Sequence, residues 1–318
     1  MNRFIALALA LAASGAAAQS FPSKPIRVII PFVAGGSSDI VGRAIAAKLQ
    51  EQLGQPAVVE NRPGANGAIA AEFVAKAEPD GHTVLVGSIG VFSINAALFK
   101  DLRYHPVRDF APITLAVTTP NVLITKPTLA AASLKELVDH MKKNPGKLSY
   151  CSSGTGSSDH LTAELLKQAT GTDAVHVPYK GGAACQTDIM GNQVDFSFQN
   201  LGAVTSYIKA NRMKALAVTA KARHPQLADV PSAGEAGAAD LVVTSWQAAA
   251  APAKTPKEVV ARLNGAMVKA LRSSDISARM NQIGFDVVAS SPEEFGAFMK
   301  AEVERWTQVV NKGGIKPE

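Results

Sequence analysis

One loop occurs twice in this chain, and its repetition limits the folds available. Each copy is a strand that ends in small, amide-rich residues and then opens a helix. The first runs Ile26-Arg27-Val28-Ile29-Ile30-Pro31-Phe32, then Val33-Ala34-Gly35-Gly36-Ser37-Ser38-Asp39, then an apolar-periodic stretch to Leu53. The second runs Leu148-Ser149-Tyr150-Cys151, then Ser152-Ser153-Gly154-Thr155-Gly156-Ser157-Ser158-Asp159-His160, then a periodic stretch to Ala169. Glycine lets the backbone turn sharply and approach a ligand, and a helix start leaves several N–H groups without intrahelical partners. Those donors, the positive end of the helix dipole and nearby hydroxyls suit carboxylate or phosphate oxygens. The two cradles, 120 residues apart from Gly36 to Gly156, imply two lobes closing on one anion.

The N-terminus addresses the compartment. Met1-Asn2-Arg3 is a short basic start, residues 4–13 are an apolar run, and Ala16-Ala17-Ala18 before Gln19 is a small-residue cleavage site. Residues 1–18 therefore read as a secretory signal peptide, too short to span a bilayer. No later apolar run approaches spanning length, so a soluble, exported chain of residues 19–318 is expected, long enough for two domains. Loss of Arg3 takes the formal net charge from +6 to +5. A modest basic balance fits an anionic ligand or acidic partner, while the scatter of Lys and Arg speaks against nucleic acid. The two cysteines, Cys151 and Cys185, are in an oxidising compartment either a disulfide or two buried small apolar residues that never meet.

Short apolar runs alternate with helical patterns. Strand candidates are 58–60, 83–86, 111–117, 122–124, 174–177, 196–198, 216–218 and 285–288; helix candidates are 40–53, 68–77, 134–141, 161–169 and 204–210, with a mostly helical C-terminal segment from Pro256 to Val310. This alternation predicts a largely parallel sheet covered by helices on both faces. Ser133, Thr255 and Ser291 each precede Glu by three residues, a capping-box pattern, with proline at the first helical position in the last two. Ligands of open α/β sheets bind beyond the carboxyl ends of the strands. Both glycine loops are there, as are Gly87-Ser88-Ile89-Gly90 and Pro178-Tyr179-Lys180-Gly181-Gly182.

Other chemistries find little support. Gly154-Thr155-Gly156 lacks the third glycine of a dinucleotide fingerprint, Asp159 standing in its place, and there is no Gly-Lys-Ser/Thr phosphate loop. Ser157, Asp159 and His160 are near one another, yet no Gly-x-Ser-x-Gly elbow exists, so an exported hydrolase is the lesser alternative. The six histidines and two cysteines show no metal-ligand spacing, and neither metal nor cofactor is expected. His160 orients its loop or touches the ligand, and its i,i+4 pairing with Glu164 reads as a helix-surface interaction. Lys180 is a counter-charge or merely solvated, and Tyr179 presents its hydroxyl or packs on the second loop. Trp246, between Ser245 and Gln247, is a core aromatic or a cleft wall, the core reading being preferred.

In these residues the chain resembles the Bug-type extracytoplasmic solute receptors, the binding subunits of tripartite tricarboxylate transporters. The resemblance runs from Pro22-Ser23-Lys24-Pro25-Ile26-Arg27 through Pro31-Phe32-Val33-Ala34-Gly35-Gly36, Glu60-Asn61-Arg62-Pro63-Gly64-Ala65, Pro79-Asp80-Gly81, Asn144-Pro145-Gly146-Lys147-Leu148, Ser153-Gly154-Thr155-Gly156, Val177-Pro178-Tyr179-Lys180-Gly181 and Asp229-Val230-Pro231 to Gly313-Gly314-Ile315-Lys316. It implies a two-lobed α/β fold of the type II periplasmic-binding class, a Venus flytrap whose lobes are mainly parallel sheets flanked by helices. Lobe one would comprise residues 19–120 and 246–318 and lobe two residues 121–245, with crossing strands near 121–125 and 245–251. The implied ligand is a small organic acid or, in some members, an amide. The implied partners are the membrane subunits of a transporter, with the receptor a periplasmic monomer and no nucleic acid. Candidate ligand contacts are Phe32, Ala34, Gly35, Gly36, Ser37, Asp39, Ser88, Ser153, Gly154, Thr155, Gly156, Ser157, His160, Tyr179, Lys180, Gly181 and Asn200; Gln199-Asn200 either tunes selectivity or caps the next helix. A sensor subunit presenting its ligand to a signalling membrane protein is the alternative on the same fold.

Overall fold

Strand β1 (Ile26–Ile30) is apolar apart from Arg27, the pattern of a strand covered on both faces. The computed structural model describes residues 21–316, and the expected signal peptide lies outside them. After β1 come α1 (Ser37–Leu53), β2 (Ala57–Asn61), α2 (Ala68–Ala75), β3 (Thr83–Ser88), a π-type turn over Gly90–Ile94 and the single-turn α3 (Asn95–Leu98). The middle of the chain forms β4 (Phe110–Thr125), α4 (Leu134–Lys143), β5 (Ser149–Ser152), α5 (Ser158–Thr170), β6 (Val175–Pro178), α6 (Gly182–Met190), β7 (Phe196–Asn200), α7 (Leu201–Lys209) and β8 (Lys214–Val218). β9 (Thr244–Pro252), α8 (Lys257–Leu271), α9 (Ser274–Ile283), β10 (Asp286–Val287) and α10 (Pro292–Gly313) complete it.

The strands form two parallel sets joined by antiparallel strands, in the order β2-β1-β3-β9-β4-β7-β5-β6, with β8 and β10 also pairing with β4. β1 is parallel to β2 and β3, and β5 is parallel to β6 and β7. β4 serves both halves. From Phe110 to Pro120 it pairs with β9, and from Asn121 to Thr125 with β7, Asn121 lying opposite Asn200. The sequence pattern divides this segment into strands 111–117 and 122–124; the structure has one continuous strand of 16 residues. Pro120 has no N–H for a ladder, and it stands where the strand exchanges partners, so the ladder changes without ending the strand.

Each sheet half carries apolar clusters on its two faces. In the first half, α1, α8 and α9 cover one face, and α2, α10 and the π-turn cover the other. In the second half, α4 and α5 contribute to one cluster and α6 and α7 to the other. Ala248–Ala251 of β9 are all buried, and their small side chains let both helical layers come close.

Two of the three capping patterns act as caps. Ser291 Oγ accepts from Glu294 N while Glu294 reaches back to Ser291 N, a complete box with Pro292 in the first turn. Ser133 Oγ accepts from Glu136 N at 3.1 Å, but the Glu136 carboxylate turns to Ala132 N instead. Thr255 does not cap. Pro256, at φ −53° and ψ 141°, is itself the non-helical cap residue, so the helix starts one residue later and Thr255 Oγ1 is buried without a partner.

Trp246 is a core residue, 1 % exposed, and donates Nε1–H to Glu302 at 3.0 Å. Trp306 donates to the same Glu302 oxygen at 3.1 Å. Glu302→Ala orphans two buried indole donors at roughly 1–3 kcal/mol each, so a loss of about 2–6 kcal/mol is expected in urea denaturation followed by tryptophan fluorescence. Glu302→Gln keeps an acceptor and should lose clearly less; equal losses would mean that the charge, and not the acceptor, is what matters.

Candidate ligand-binding cleft

Beyond the carboxyl ends of β1, β3, β5 and β7, between the two sheet halves, lies a cavity of about 30 Å³. Its lining draws on the starts of four helices: Gly36, Ser37 and Ser38 at α1, Ser157, Ser158 and Asp159 at α5, Gly182 at α6, and Asn200 at α7. Four positive helix ends directed at one point favour a negative group there. Phe32, Ser88, Ser153, Gln186, Gln199, Ala203, Ser245 and Gln247 complete the wall. Among the described residues the lining holds no Lys, Arg or His, so hydroxyls, amides and backbone N–H groups are what it offers an anion.

The halves touch around this cavity. Val33 N donates to the Lys180 carbonyl at 3.3 Å. A Cβ on Gly156 would lie 3.0 Å from Leu98 and 3.1 Å from Asn66, both on the first half. The halves are therefore in contact, leaving room for about two waters at ~15 Å³ of probe volume each, so a bound organic acid would hold them further apart than here.

Both glycine loops fold in the same way. Gly35 and Gly156 each have φ +88°, a backbone geometry that glycine adopts without strain. Gly35 N donates to the Asp39 carboxylate at 2.9 Å, and Gly156 N to His160 Nδ1 at 3.1 Å, each four residues on. The equivalent of Gly156 is thus Gly35, a spacing of 121 where the sequence alone paired it with Gly36. A buried carboxylate braces each loop. Asp39 also accepts from Arg43 at 2.9 Å and from Asn61 at 2.9 Å. Burial raises its pKa, but Arg43, Gly35 and Asn61 together hold it below the usual carboxylate range. Asp159 accepts from Ser153 N and Oγ at 2.7 Å and from Gln199 at 3.0 Å, and with no cation beside it burial wins and its pKa rises.

Of the residues singled out from sequence, Phe32, Gly36, Ser37, Ser88, Ser153, Ser157 and Asn200 line the cavity. The others lie around it. Ala34 and Gly35 are on the exposed outer side of the first loop, and Asp39 is beneath it. Gly154 packs on Asn66 and the Tyr179 carbonyl, Thr155 is half-buried, and Gly156 faces Leu98. Gly181 rests on Val33 and Phe32, and the Lys180 side chain is exposed. The Tyr179 hydroxyl donates to Asp188, and burial together with that carboxylate pushes its pKa up to about 12.

His160 is not a surface partner of Glu164. It is 1 % exposed, its ring stacks on His176 at 4.3 Å, and His176 stacks on Tyr150 at 4.7 Å. Glu164 instead accepts from the Tyr150 hydroxyl at 2.6 Å and Lys167 at 2.9 Å. Cys151 and Cys185 form a disulfide, Cα–Cα 5.6 Å, tying the end of β5 to α6. Gln186, Ser245 and Gln247 enter the wall without having been singled out as contacts, and Gln199 lines it beside Asn200. The alternation of Ser245 and Gln247 about the buried Trp246 held a signal for two of them, since alternate residues of a strand face opposite sides.

Burial and His176 depress the His160 pKa from 6.5 to about 3. The folded state thus favours neutral His160, and its contribution, complete above pH 6.5, declines as pH falls toward 3. The slope approaches about 1.4 kcal/mol per pH unit. Urea midpoints measured across that window should fall less steeply for His160→Gln than for the parent chain; parallel curves would place the acid sensitivity elsewhere. At the loops, Gly156→Val should abolish ligand binding, because it fills the contact between halves. Gly35→Val, whose added Cβ meets only Ala183 at 3.5 Å, should strain the loop and weaken binding less. Equal affinities in calorimetry would remove both loops from closure. Mass spectrometry without reductant should find Cys151 and Cys185 linked, and two free thiols would refute the bond.

Comparison with known proteins adds a family. Residues 41–315 match the model of the tripartite tricarboxylate transporter family receptor. A solved periplasmic binding protein, BugD, is 35 % identical, with a TM-score of 0.90 over 94 % of this chain and 100 % of that one. An R. palustris protein solved with adipate is 34 % identical, TM-score 0.90, over 94 % and 100 %. MatC from Rhodopseudomonas palustris, with bound malate, is 33 % identical, TM-score 0.88, over 91 % and 100 %. The two-lobed α/β fold expected from the sequence is the fold of these proteins.

Proposed function

The chain belongs to the tripartite tricarboxylate transporter receptor family, and from that premise we propose that it captures a small aliphatic carboxylate between its lobes in the periplasm and presents it to the membrane subunits of a transporter. The observation that carries this reading is the convergence of four helix N-termini on a hydroxyl- and amide-lined cavity between the sheet halves, in whose wall Asp159 is the one carboxylate among the described residues. Such a site binds an anion through oriented dipoles. The adipate and malate bound by two relatives, both aliphatic dicarboxylates, support a short, flexible acid as the ligand class.

Lobe one is assigned to residues 19–120 and 246–318, and lobe two to residues 121–245. In this scheme the first loop supplies Gly36 and Ser37, the second supplies Ser153 and Ser157, and Ser88 and Asn200 meet the rest of the ligand. A ligand touching both lobes favours the closed form in proportion to its differential affinity, and the closed form is what the membrane subunits recognise. The chain acts as a monomer, cleaved of residues 1–18, and makes or breaks no covalent bond.

The test is a thermal-shift screen of refolded, ligand-stripped protein against adipate, malate, citrate and their amides. A ligand present at about 100 times its Kd stabilises by roughly 2.7 kcal/mol, a clear rise in melting temperature. A shift with a narrow group of acids and none with the amides is expected. A shift with amides alone would assign the cleft to neutral carbonyl ligands and overturn the carboxylate reading.

A further inference from the structure

Helix α7 opens in the cavity wall, to which it brings Asn200 and Ala203. The two residues between them, Leu201 and Gly202, are not in that wall. They meet the turn Gly284–Phe285 of the first half, where α9 ends and the chain enters β10.

The fit there is reciprocal. A Cβ on Gly202 would lie 2.5 Å from Cδ2 and Cζ of Phe285, and a Cβ on Gly284 would overlap Leu201 Cδ2. Phe285 belongs to an apolar cluster of the first half and Leu201 to one of the second, and both are 0 % exposed. Each half thus seats one large side chain in a glycine notch of the other. Gly284, at φ +98°, also ends α9, so its backbone favours glycine in any case. Gly202 has no such reason: it is inside a helix, where alanine is the more favourable residue. The bare position is filled instead by the Phe285 ring.

Hydrogen bonds run through the same point. Gly202 N donates to Thr119 Oγ1 at 3.2 Å, and Thr119 Oγ1 donates to the Gly284 carbonyl at 2.8 Å. Thr119 is buried on β4, one residue before Pro120, where the strand exchanges partners. The first turn of α7 is therefore fixed twice, by Leu201 in the cluster of its own half and by Thr119 and Phe285 of the other. Packing of this density transmits the displacement of a single methyl group. Phe285 is enclosed by its own cluster, so a side chain at 202 would move α7 and not the ring.

We propose that Gly202 and Phe285 are positioning residues for the ligand: their fit across the lobes sets where the first turn of α7, with Asn200 and Ala203, stands in the cleft. The proposal rests on the carboxylate-receptor reading above. Phe285 does not line the cavity, so its effect on affinity passes through α7.

The test compares Gly202→Ala, Phe285→Leu and the double variant by calorimetry, with adipate and malate as probes. In the parent background Gly202→Ala should weaken whichever probe binds by about tenfold, the scale of an overpacked contact. In the Phe285→Leu background, where a more flexible side chain yields room, the same change should weaken it by under about threefold, the non-additivity of residues in contact. A purely structural contact predicts a lower melting temperature with unchanged Kd in every variant, and that result overturns the proposal. Equal losses in both backgrounds overturn it too, since the collision would then not be with Phe285. Should Gly202→Ala fail to fold, Phe285→Leu alone decides: a loosened seat weakens the probe, and an unchanged Kd refutes the positioning role. If neither probe binds the parent chain, the proposed ligand class falls, and the seat is judged by small-angle X-ray scattering of the unliganded proteins. There Gly202→Ala must enlarge the radius of gyration and Phe285→Leu in the same chain must reverse it; equal radii overturn the proposal.

Discussion

The cleft exists because a single strand, β4, serves two sheet halves and changes partners between Pro120 and Asn121. Each half has its own parallel strands and its own apolar clusters, although Leu161 of α5 packs into a cluster of the first half. What joins them is the backbone of β4 and β9, the hydrogen bonds at their crossing and the loop contacts around the cavity. Gln247 Nε2 donates to Asn200 Oδ1 at 3.5 Å, and Gly202 N donates to Thr119 Oγ1 at 3.2 Å. A molecule built this way can bend at the crossing without breaking either core.

The binding surface follows from that geometry. With the halves side by side, the carboxyl ends of both parallel sets face one gap, and the helix that follows each strand begins there. Anion recognition then needs no buried cation, whose removal from water would cost several kcal/mol before any ligand arrived. The charged groups near the gap act on the loops instead. Asp39 and Asp159 each gather N–H donors beneath a glycine loop, but Arg43 beside the first helps to lower its pKa, whereas the hydrogen bonds to the second do not outweigh its desolvation. The second loop is further fixed by the buried His160 and by the Cys151–Cys185 bond.

Much of this was legible in the chain. The glycine loops, the alternation of strands and helices, and the caps at Ser133 and Ser291 follow from local rules, and local rules leave marks within ten residues. Six of the cavity-lining residues, Phe32, Gly36, Ser37, Ser88, Ser153 and Ser157, are on segments reached in this way, and Asn200 came with the family resemblance. Gln186 and Gln247 were not, because an amide side chain has no sequence signature for burial; only its neighbours in space decide it. The segment expected as two strands, 111–117 and 122–124, is one, and Pro120 marks an exchange of partners within it. Thr255 shows the converse, a pattern correct in spacing whose proline took the cap position itself.

The sequence by itself determined the class of fold, the two cradles and the kind of group they could hold, because these depend on backbone freedom, periodicity and helix ends, all encoded locally. The tertiary structure decided the pairing of Gly35 with Gly156, the buried state of His160, the disulfide, and the meeting of Asn66 with a loop some 90 residues away. Each of these depends on which surfaces the two halves present to each other, and that is set by the packing of whole elements across β4 and not by any one segment of the chain.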